Sequence, residues 1–339
     1  MGVKILSLYD GMACGMIAMQ LAGVEVESYD AYEIDKYAIK TAQHNFPMIK
    51  EHGDVFEADF TQYEGVDFLI GGSPCTYWSI AQTKNRETVA SGMGWELFSQ
   101  YVRALHEAKP KYFIYENNNS MSKDIRASID DAFGFEAVLI NSALVSAQNR
   151  QRLYWVGKRN EDGTYSKVNV EQPADRGILL KDVLDSAVAM REKAHTIDAN
   201  YYKGGNFTSP NKQSGKRLMA AEPIVPRGVA QRGRYPENPK LRVAGIRTEQ
   251  MFEAREDEKT NTLTTVQKDN LLLEKPQYRI RKLTPRECGR LMGVSDEDID
   301  KMAAVNSNTQ LYKQFGNSIV VDVMCAMFKN LNINQGDTV

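Results

Sequence analysis

The chain has 339 residues, of which 42% are hydrophobic and 25% charged, and its net charge is −2. This composition is ordinary for a globular protein, and the lack of an apolar run of about 18 residues argues against a membrane span. The length suits one large domain with a smaller one. Four cysteines lie far apart and never in a Cys-x-x-Cys pair: Cys14, Cys75, Cys288 and Cys325. Their spacing disfavours a structural zinc site and a disulfide framework and suits a reducing cytosol. With no charged leader at the N-terminus, we expect a cytoplasmic protein. We also expect a monomer, and no metal, because the sequence offers no His/Cys cluster that could hold one.

Residues 1–158 show alternating strand and helix patterns. Each predicted strand is a short apolar run that ends at polar residues, and each predicted helix has apolar residues at a helical period. In chain order we predict strand Val3–Leu8, helix Met16–Leu21, strands Val24–Tyr32 and Val66–Ile70, helix Glu96–Ala108, and strands Tyr112–Tyr115, Ala137–Leu139 and Leu153–Val156. Such alternation predicts a mostly parallel sheet with helices on both faces, and ligands bind such sheets beyond the carboxyl ends of the strands.

The middle of the chain has a different composition. Five of the eleven prolines and six glycines fall within 201–250, which indicates a loop-rich segment. The same segment holds ten Lys and Arg against three Glu, an excess of +7 that leaves −9 for the rest of the chain. A basic segment on an acidic body is typical of a phosphate-binding surface, although a solvated basic loop has the same composition.

Two stretches that begin at Lys193 and Lys259 resemble each other weakly. They are either paired strands of a small domain or a chance similarity. Helical character then returns after residue 281, where Thr284, Pro285 and Glu287 have the pattern of an N-cap, a first-turn proline and the acid of a capping box. The apolar face of Ile319–Leu331 predicts a closing helix.

Three polar stretches follow predicted strands and are candidates for a cofactor site. The stretch Ser7–Gly15 turns from a strand through glycines into a helix, which lets a ligand approach the backbone, but a plain strand–helix turn has the same features. Glu33 ends the second strand, where a carboxylate accepts hydrogen bonds from ribose hydroxyls. Asp54, within Gly53-Asp54-Val55, can accept from an adenine amino group. Each acid alone could be a solvated loop residue, and together they indicate an adenosine-containing cofactor.

The most specific stretch is Gly71-Gly72-Ser73-Pro74-Cys75. Most free cysteines are small buried hydrophobic residues, but one on a Gly/Pro loop at a strand end is a better candidate for a nucleophile. Its reactive form is the thiolate, and nearby arginines such as Arg150 and Arg152 can lower a thiol pKa from about 8.5. Glu116, after the next strand, can contact a polar ring. Each of these residues alone fits a structural role better than a catalytic one.

Taken in order, these stretches resemble the cytosine-C5 DNA methyltransferase family of the bacterial or phage type. The resemblance covers nearly the whole chain apart from about 160–278. Six ordered blocks carry it: Leu8-Tyr9-Asp10-Gly11, Pro74-Cys75, Glu116-Asn117, Gln148-x-Arg150-x-Arg152, Arg281–Gly293 and Gly316-Asn317-Ser318-Ile319.

The resemblance implies an α/β fold, in which a Rossmann-like, S-adenosylmethionine-dependent methyltransferase sheet has helices on both faces and a smaller, loop-rich target-recognition domain beside it. The implied catalytic domain is 1–187 completed by 316–339, the target-recognition domain is 188–278, and a helical support is 279–315. The implied activity is transfer of a methyl group from S-adenosylmethionine to carbon 5 of a flipped-out cytosine in duplex DNA. The implied partner is double-stranded DNA, and a cognate restriction endonuclease is a further candidate.

The resemblance also implies roles for individual residues. The implied catalytic residues are Cys75, which attacks carbon 6, with Glu116, Arg150 and Arg152. The implied cofactor residues, which bind S-adenosylmethionine and its product S-adenosylhomocysteine, are Tyr9, Asp10, Gly11, Ala13, Gly15, Glu33, Ile34, Asp54, Val55, Pro74, Leu97, Asn317 and Ile319. The DNA-binding candidates are Arg227, Arg232, Arg234 and Arg242.

Three departures from the family pattern bear on cofactor affinity and rate. Met12-Ala13 replaces part of the usual Gly-rich turn, Ser73 stands where Phe or Pro is common, and Asn118 replaces a usual Val.

Three other functions share part of this pattern. An enzyme of the same chemistry that acts on tRNA usually carries a Cys-Phe-Thr block, which is not seen here. A non-catalytic DNA-binding relative would not need Cys75, Glu116 and Arg152 together. A nicotinamide-dependent oxidoreductase would share the early strands and acids, but nothing in its chemistry calls for Pro74-Cys75.

Overall fold

The computed structural model describes residues 2–80, 84–203, 219–224, 228–234, 249–254, 271–272 and 277–331, and between 221 and 280 it describes backbone alone. The bounds of the main-sheet strands are β1 Val3–Leu8, β2 Val26–Tyr32, β3 Lys50–Glu51, β4 Phe68–Gly71, β5 Tyr112–Asn118, β6 Val138–Asn141, β7 Gln151–Arg159 and β8 Tyr165–Lys167.

The main sheet has the order β3-β2-β1-β4-β5-β7-β6, with β8 paired to β7. Strands β1 to β5 pair in parallel, which confirms the predicted parallel sheet. Strand β7 runs antiparallel to β5 and β6, a reversal that the sequence patterns did not predict. Because the chain moves from β1 to β2 on one side and later to β4 on the other, a ligand cleft opens beyond the carboxyl ends of β1 and β4.

The described helices of the α type are α1 Cys14–Ala22, α2 Lys36–Asn45, α3 Gly92–Ala108, α4 Lys123–Phe133, α5 Pro285–Leu291, α6 Asp296–Val305, α7 Asn308–Asn317 and α8 Val321–Asn330. They cover both faces of the main sheet. On β1, Ile5 packs into a core with α1 and α8, whereas Leu6 and Leu8 pack into a second core with α3 and α4. Since neighbouring strand residues point to opposite faces, the two cores confirm the predicted layers.

The starts of α5 and α3 differ in how well the sequence predicts them. The predicted capping box is confirmed, because Glu287 N donates to Thr284 Oγ1 at 3.2 Å and Thr284 N donates to Glu287 Oε2 at 2.7 Å. Helix α3 instead begins at Gly92, four residues before the predicted start at Glu96. Its first turn is held by the distant carboxylate of Glu87, which accepts from Gly94 N at 3.1 and 3.2 Å.

Two small antiparallel sheets are formed by β9 Val188–Ala189, β10 Ala220–Ile224, β11 Gly228–Arg234, β12 Glu249–Ala254, β13 Leu271–Leu272 and β14 Gln277–Arg281. Their strand orders are β14-β10-β9 and β12-β11-β13. The predicted boundary at 278/279 falls inside β14 and that at 315/316 inside α7, and a separate target-recognition domain stays a prediction. In the stretch from Lys193, Ala194 makes an isolated parallel bridge to Gln148, whereas the stretch from Lys259 lies outside the described residues. Among the residues that the structure describes, no helix is long and apolar enough to cross a membrane.

Candidate functional site

A cavity of about 550 Å³ lies at the carboxyl ends of β1, β2, β4 and β5. Residues near or directly after the carboxyl ends of these strands line it, including Tyr9, Glu33, Gly72 and Glu116. All the residues predicted to be catalytic or to bind the cofactor line this cavity, except Ala13. The parallel sheet therefore brings together side chains that are more than three hundred positions apart in the sequence, as far as Ile319.

Ala13 differs from its prediction as a cofactor residue. Its side chain is fully buried, and its φ of 65° makes the left-handed turn that starts α1. Ala13 therefore sets the turn between β1 and α1 without forming part of the cavity wall. Its neighbour Met12, part of the same departure from the family pattern, does line the cavity.

Glu33 holds the loop after β1 with its carboxylate. Oε2 accepts from Gly11 N at 2.9 Å, and Oε1 accepts from Ile34 N and Asp35 N at 2.8 Å each. A carboxylate offers about four lone-pair sites, so these bonds leave room for about one further donor. Glu33 therefore organises the backbone of the cavity as well as facing it.

Tyr9 and Leu97 form a joined wall of the cavity. The Tyr9 hydroxyl donates to the Leu97 carbonyl of α3 at 2.7 Å. A phenylalanine at this position could not make this bond. The Tyr9 side chain therefore joins the loop after β1 to α3, and its hydrogen bond restricts the orientation of the ring.

Asp10 belongs to the same loop and bonds through its carboxylate to side chains of β1 and β2. Its Oδ1 accepts from the hydroxyls of Ser7 and Tyr29 at 2.5 Å each. Burial raises the pKa of Asp10 to about 6, although both hydrogen bonds oppose the rise. Asp54, which also lines the cavity, caps a short helical turn, with Oδ1 accepting from Phe56 N at 3.0 Å.

The loop that carries Cys75 leaves β4 and packs directly against β5. A Cβ atom at Gly72 would lie 2.5 Å from the Glu116 carbonyl oxygen, so only glycine permits this approach. The antiparallel pairing of β5 with β7 sets Arg152 opposite Asn118, diagonally across from Glu116. As a result, Arg152 Nε lies 2.9 Å from Glu116 Oε1.

Burial dominates the electrostatics of this group. It raises the pKa of the Cys75 thiol, and the opposing effect of Arg152 is smaller. Burial likewise raises the pKa of Glu116, against the effects of Arg152 and Arg150. The arginines thus act on the thiol in the expected direction, but the desolvation of its charged form outweighs them.

Arg150, one of the residues predicted to be catalytic, donates its hydrogen bonds to backbone carbonyls. Its Nη1 donates to the Ile197 carbonyl at 2.8 Å, and its Nη2 donates to the carbonyls of Gly316 and Ser318 at 3.1 and 2.8 Å. Its side chain is buried among these segments and fastens the start of the C-terminal block to the sheet. A Cβ at Gly316 would lie 2.2 Å from the Asp198 carbonyl carbon, so the two segments are in close contact.

The sequence analysis missed several residues that line the cavity, notably Asn200, Lys313 and Gln314. Gln314 Oε1 accepts from the Thr41 hydroxyl of α2 at 2.9 Å. Nothing local in the sequence marks these positions, because they reach the cavity through the packing of α7 and of the segment before residue 203.

The predicted DNA-binding arginines lie in the middle of the chain. Arg232 and Arg234 are on β11, opposite Met251 and Glu249 of β12. Arg227 and Arg242 lie outside the described residues. A role in DNA binding stays a prediction for all four.

Comparisons with known proteins agree with this geometry. A family model described as C-5 cytosine-specific DNA methylase matches residues 3–332. The orphan methyltransferase M.SPRI of Bacillus phage SPR is 27% identical, with 97% of each chain covered. The type II methyltransferase M.NlaX of Neisseria lactamica is 28% identical, with 97% of this chain and 96% of that one covered. The solved structure of the Entamoeba histolytica methyltransferase EhMeth has a TM-score of 0.59 at 12% identity over 98% of both chains, which shows a shared fold.

Proposed function

Because the chain belongs to the C-5 cytosine-specific DNA methylase family, and is thus a DNA (cytosine-5-)-methyltransferase, we propose that it works by covalent attack of Cys75 on a flipped-out cytosine in duplex DNA. The observation that carries this mechanism is the placement of Cys75, Glu116 and Arg152 around one cavity at the carboxyl ends of β4 and β5. A base within a duplex cannot reach such a cavity, so the cytosine is extruded at a cost of a few kcal/mol.

Cys75 starts the reaction on the base. Carbon 5 of cytosine is a poor nucleophile because the ring is aromatic and electron-poor. Addition of the Cys75 thiolate to carbon 6 breaks the aromaticity, and the electron pair moves toward ring N3 and makes carbon 5 enamine-like.

Glu116 and Arg152 stabilise this addition. Glu116 hydrogen-bonds ring N3 and protonates it as charge arrives, and the raised pKa of its buried carboxyl supports a proton being held there. Arg152, whose Nε lies 2.9 Å from Glu116 Oε1, donates to the ring carbonyl oxygen in this mechanism and stabilises the charge that develops there. After carbon 5 has been methylated, loss of the carbon 5 proton restores the aromatic ring and releases Cys75.

The rest of the cavity fits S-adenosylmethionine, the methyl donor that the family generally uses. Its walls combine an aromatic ring at Tyr9, apolar side chains at Ile34 and Leu97, and carboxylates at Glu33 and Asp54. These are suitable partners for an adenine, a ribose and an adenine amino group. When bound, S-adenosylmethionine supplies an electrophilic methyl group.

The Cys75→Ser variant tests the mechanism. It should lose methyl transfer and keep nearly all its cofactor affinity, since Cys75 contacts the base. With DNA that carries 5-fluorocytosine, the wild-type protein should form a covalent adduct that survives SDS, because fluorine cannot leave carbon 5 as the proton does. Cys325→Ser, the matched change in α8 outside the cavity lining, should still form this adduct. Methylation by Cys75→Ser at the wild-type rate would refute covalent catalysis.

A further inference from the structure

Two departures from the family pattern, Ser73 and Asn118, lie in one buried hydrogen-bond network beside the nucleophile. Ser73 is 3% and Asn118 4% exposed, and Asn117 between them in the network is 1% exposed. Polar side chains buried to this extent are costly unless they are hydrogen-bonded, so their partners indicate what they stabilise.

On the side that precedes Cys75, the network joins the loop to β5. The Ser73 hydroxyl lies 2.6 Å from the Tyr115 hydroxyl. Asn117 Nδ2 donates to the Ser73 carbonyl at 3.2 Å and to the Tyr115 hydroxyl at 3.1 Å. Asn117 Oδ1 in turn accepts from Asn118 N at 2.8 Å and from Asn118 Nδ2 at 3.1 Å.

On the side that follows Cys75, Asn118 is the point of attachment. Its Nδ2 donates to the Cys75 carbonyl at 3.5 Å, a long contact. Its Oδ1 accepts from Ser120 N at 2.9 Å and from the Ser120 hydroxyl at 2.7 Å. One amide thus contacts the nucleophile's own backbone and the turn after β5.

Ser120 also binds the segment that follows the nucleophile, residues 76–80. Its hydroxyl accepts from Ile80 N at 3.3 Å, and its carbonyl accepts from Arg86 Nη2 at 2.7 Å. Arg86 Nε also donates to the carbonyl of the fully buried Trp78 at 3.1 Å. Residues 76–80 are therefore bound to the turn that Asn118 holds, directly at Ile80 and through Arg86 at Trp78.

We propose that Asn118 is a positioning residue that fixes Cys75 and the segment after it against the strand that carries Glu116. The proposal rests on the covalent function proposed above and adds a residue to it. A valine at position 118 could offer neither the acceptor for Ser120 nor the donor for Cys75 and Asn117. The loop would then be held to β5 and the turn after it by Ser73, Asn117 and Arg86, without the bonds of the Asn118 amide.

The test uses the full-length protein and the variants Asn118→Val and Ser120→Ala. Asn119→Val is the matched control, because the Asn119 amide faces Gln151 on β7, at 3.2 Å, and not the nucleophile loop. Two rates are measured for each: formation of the SDS-stable adduct with 5-fluorocytosine DNA in a single turnover, and alkylation of Cys75 by iodoacetamide without DNA, followed by peptide mass spectrometry against pH. Thermal melting confirms that each variant is folded.

We expect Asn118→Val to form the adduct about tenfold more slowly, since a misplacement of about 1 Å can cost as much as a hundredfold. Its Cys75 should be alkylated faster and with a midpoint at lower pH, because a released loop is less buried. Ser120→Ala should change both rates in the same directions by less, and Asn119→Val should change neither.

Opposite changes in the two rates at an unchanged melting temperature are the signature of positioning, since a general loss of stability would lower the melting temperature of Asn118→Val itself. If Asn118→Val matches the wild type in both rates, or slows adduct formation without changing alkylation, the proposal is wrong. If the wild type forms no adduct at all while alkylation still responds to Asn118→Val, covalent catalysis fails and the positioning of the loop stands. If Asn118→Val does not fold, the same two rates measured on Ser120→Ala decide whether the proposal is right.

Discussion

Replacing Arg150 by alanine tests whether this residue stabilises the fold or takes part in catalysis. The substitution leaves three carbonyl oxygens, those of Ile197, Gly316 and Ser318, without their donor. Each unsatisfied buried group costs about 1–3 kcal/mol, so the free energy of unfolding should fall by about 3–9 kcal/mol unless water enters. With an unfolding entropy of about 2.1 cal/mol/K per residue, 339 residues give a shift near 1.4 °C per kcal/mol, or a loss of about 4–13 °C in Tm.

Differential scanning calorimetry of Arg150→Ala beside Arg152→Ala measures this difference. Arg152 lies in an ion pair with Glu116 and donates to the Gln151 carbonyl, so its removal should lower Tm by less. Conversely, at a temperature where both are folded, Arg152→Ala should lose adduct formation with 5-fluorocytosine DNA more completely than Arg150→Ala. Wild-type melting of Arg150→Ala together with a loss of adduct formation equal to that of Arg152→Ala would refute this reasoning and return Arg150 to the catalytic group.

Three other predictions follow from the site and the basic segment. Because burial raises the pKa of Cys75, adduct formation should accelerate with pH beyond about 8.5, the ordinary thiol pKa, and a plateau below neutral pH in rapid-quench experiments would contradict this. Glu33→Ala should weaken cofactor binding about tenfold in calorimetry, since one unpaired ribose donor costs about 1–3 kcal/mol, and unchanged affinity would show that Glu33 does not bind the cofactor. Neutralising Arg232 and Arg234 together should flatten the salt dependence of DNA binding by about one unit of slope per lost contact. If filter binding shows wild-type behaviour on cognate and scrambled duplexes alike, these two arginines are not phosphate contacts.

The part of the fold that the sequence predicts is the part with local signals. The apolar runs of β1, β4 and β5 and the polar residues at their ends are visible without any partner, and parallel pairing brings those ends together. For the same reason the capping box at Thr284 could be predicted, because its partners lie three residues apart. The start of α3 could not, because the acceptor for its first turn is Glu87, outside the helix.

The role of Arg150 shows the limit of reading a motif. Arg150 and Arg152 belong to one block and are two residues apart, yet their partners lie far from each other in the chain. Arg152 pairs with Glu116 through the register of β5 and β7, whereas Arg150 reaches carbonyls 47, 166 and 168 residues away. Contacts with backbone carbonyls carry no signature in the sequence, since every residue offers one.

In the proposed mechanism, Glu116 and Cys75 need opposite protonation states within the same cavity. The acid, Glu116, benefits from a raised pKa because it must hold a proton, whereas the nucleophile, Cys75, must lose one. Burial raises the pKa of both groups, and Arg152 lowers both. A stronger effect of Arg152 would favour the thiolate at the expense of the acid, and a weaker one would do the reverse. The register that places Arg152 beside Glu116 therefore balances the two groups, and the thiol stays largely protonated until a bound base or a rise in pH changes its surroundings.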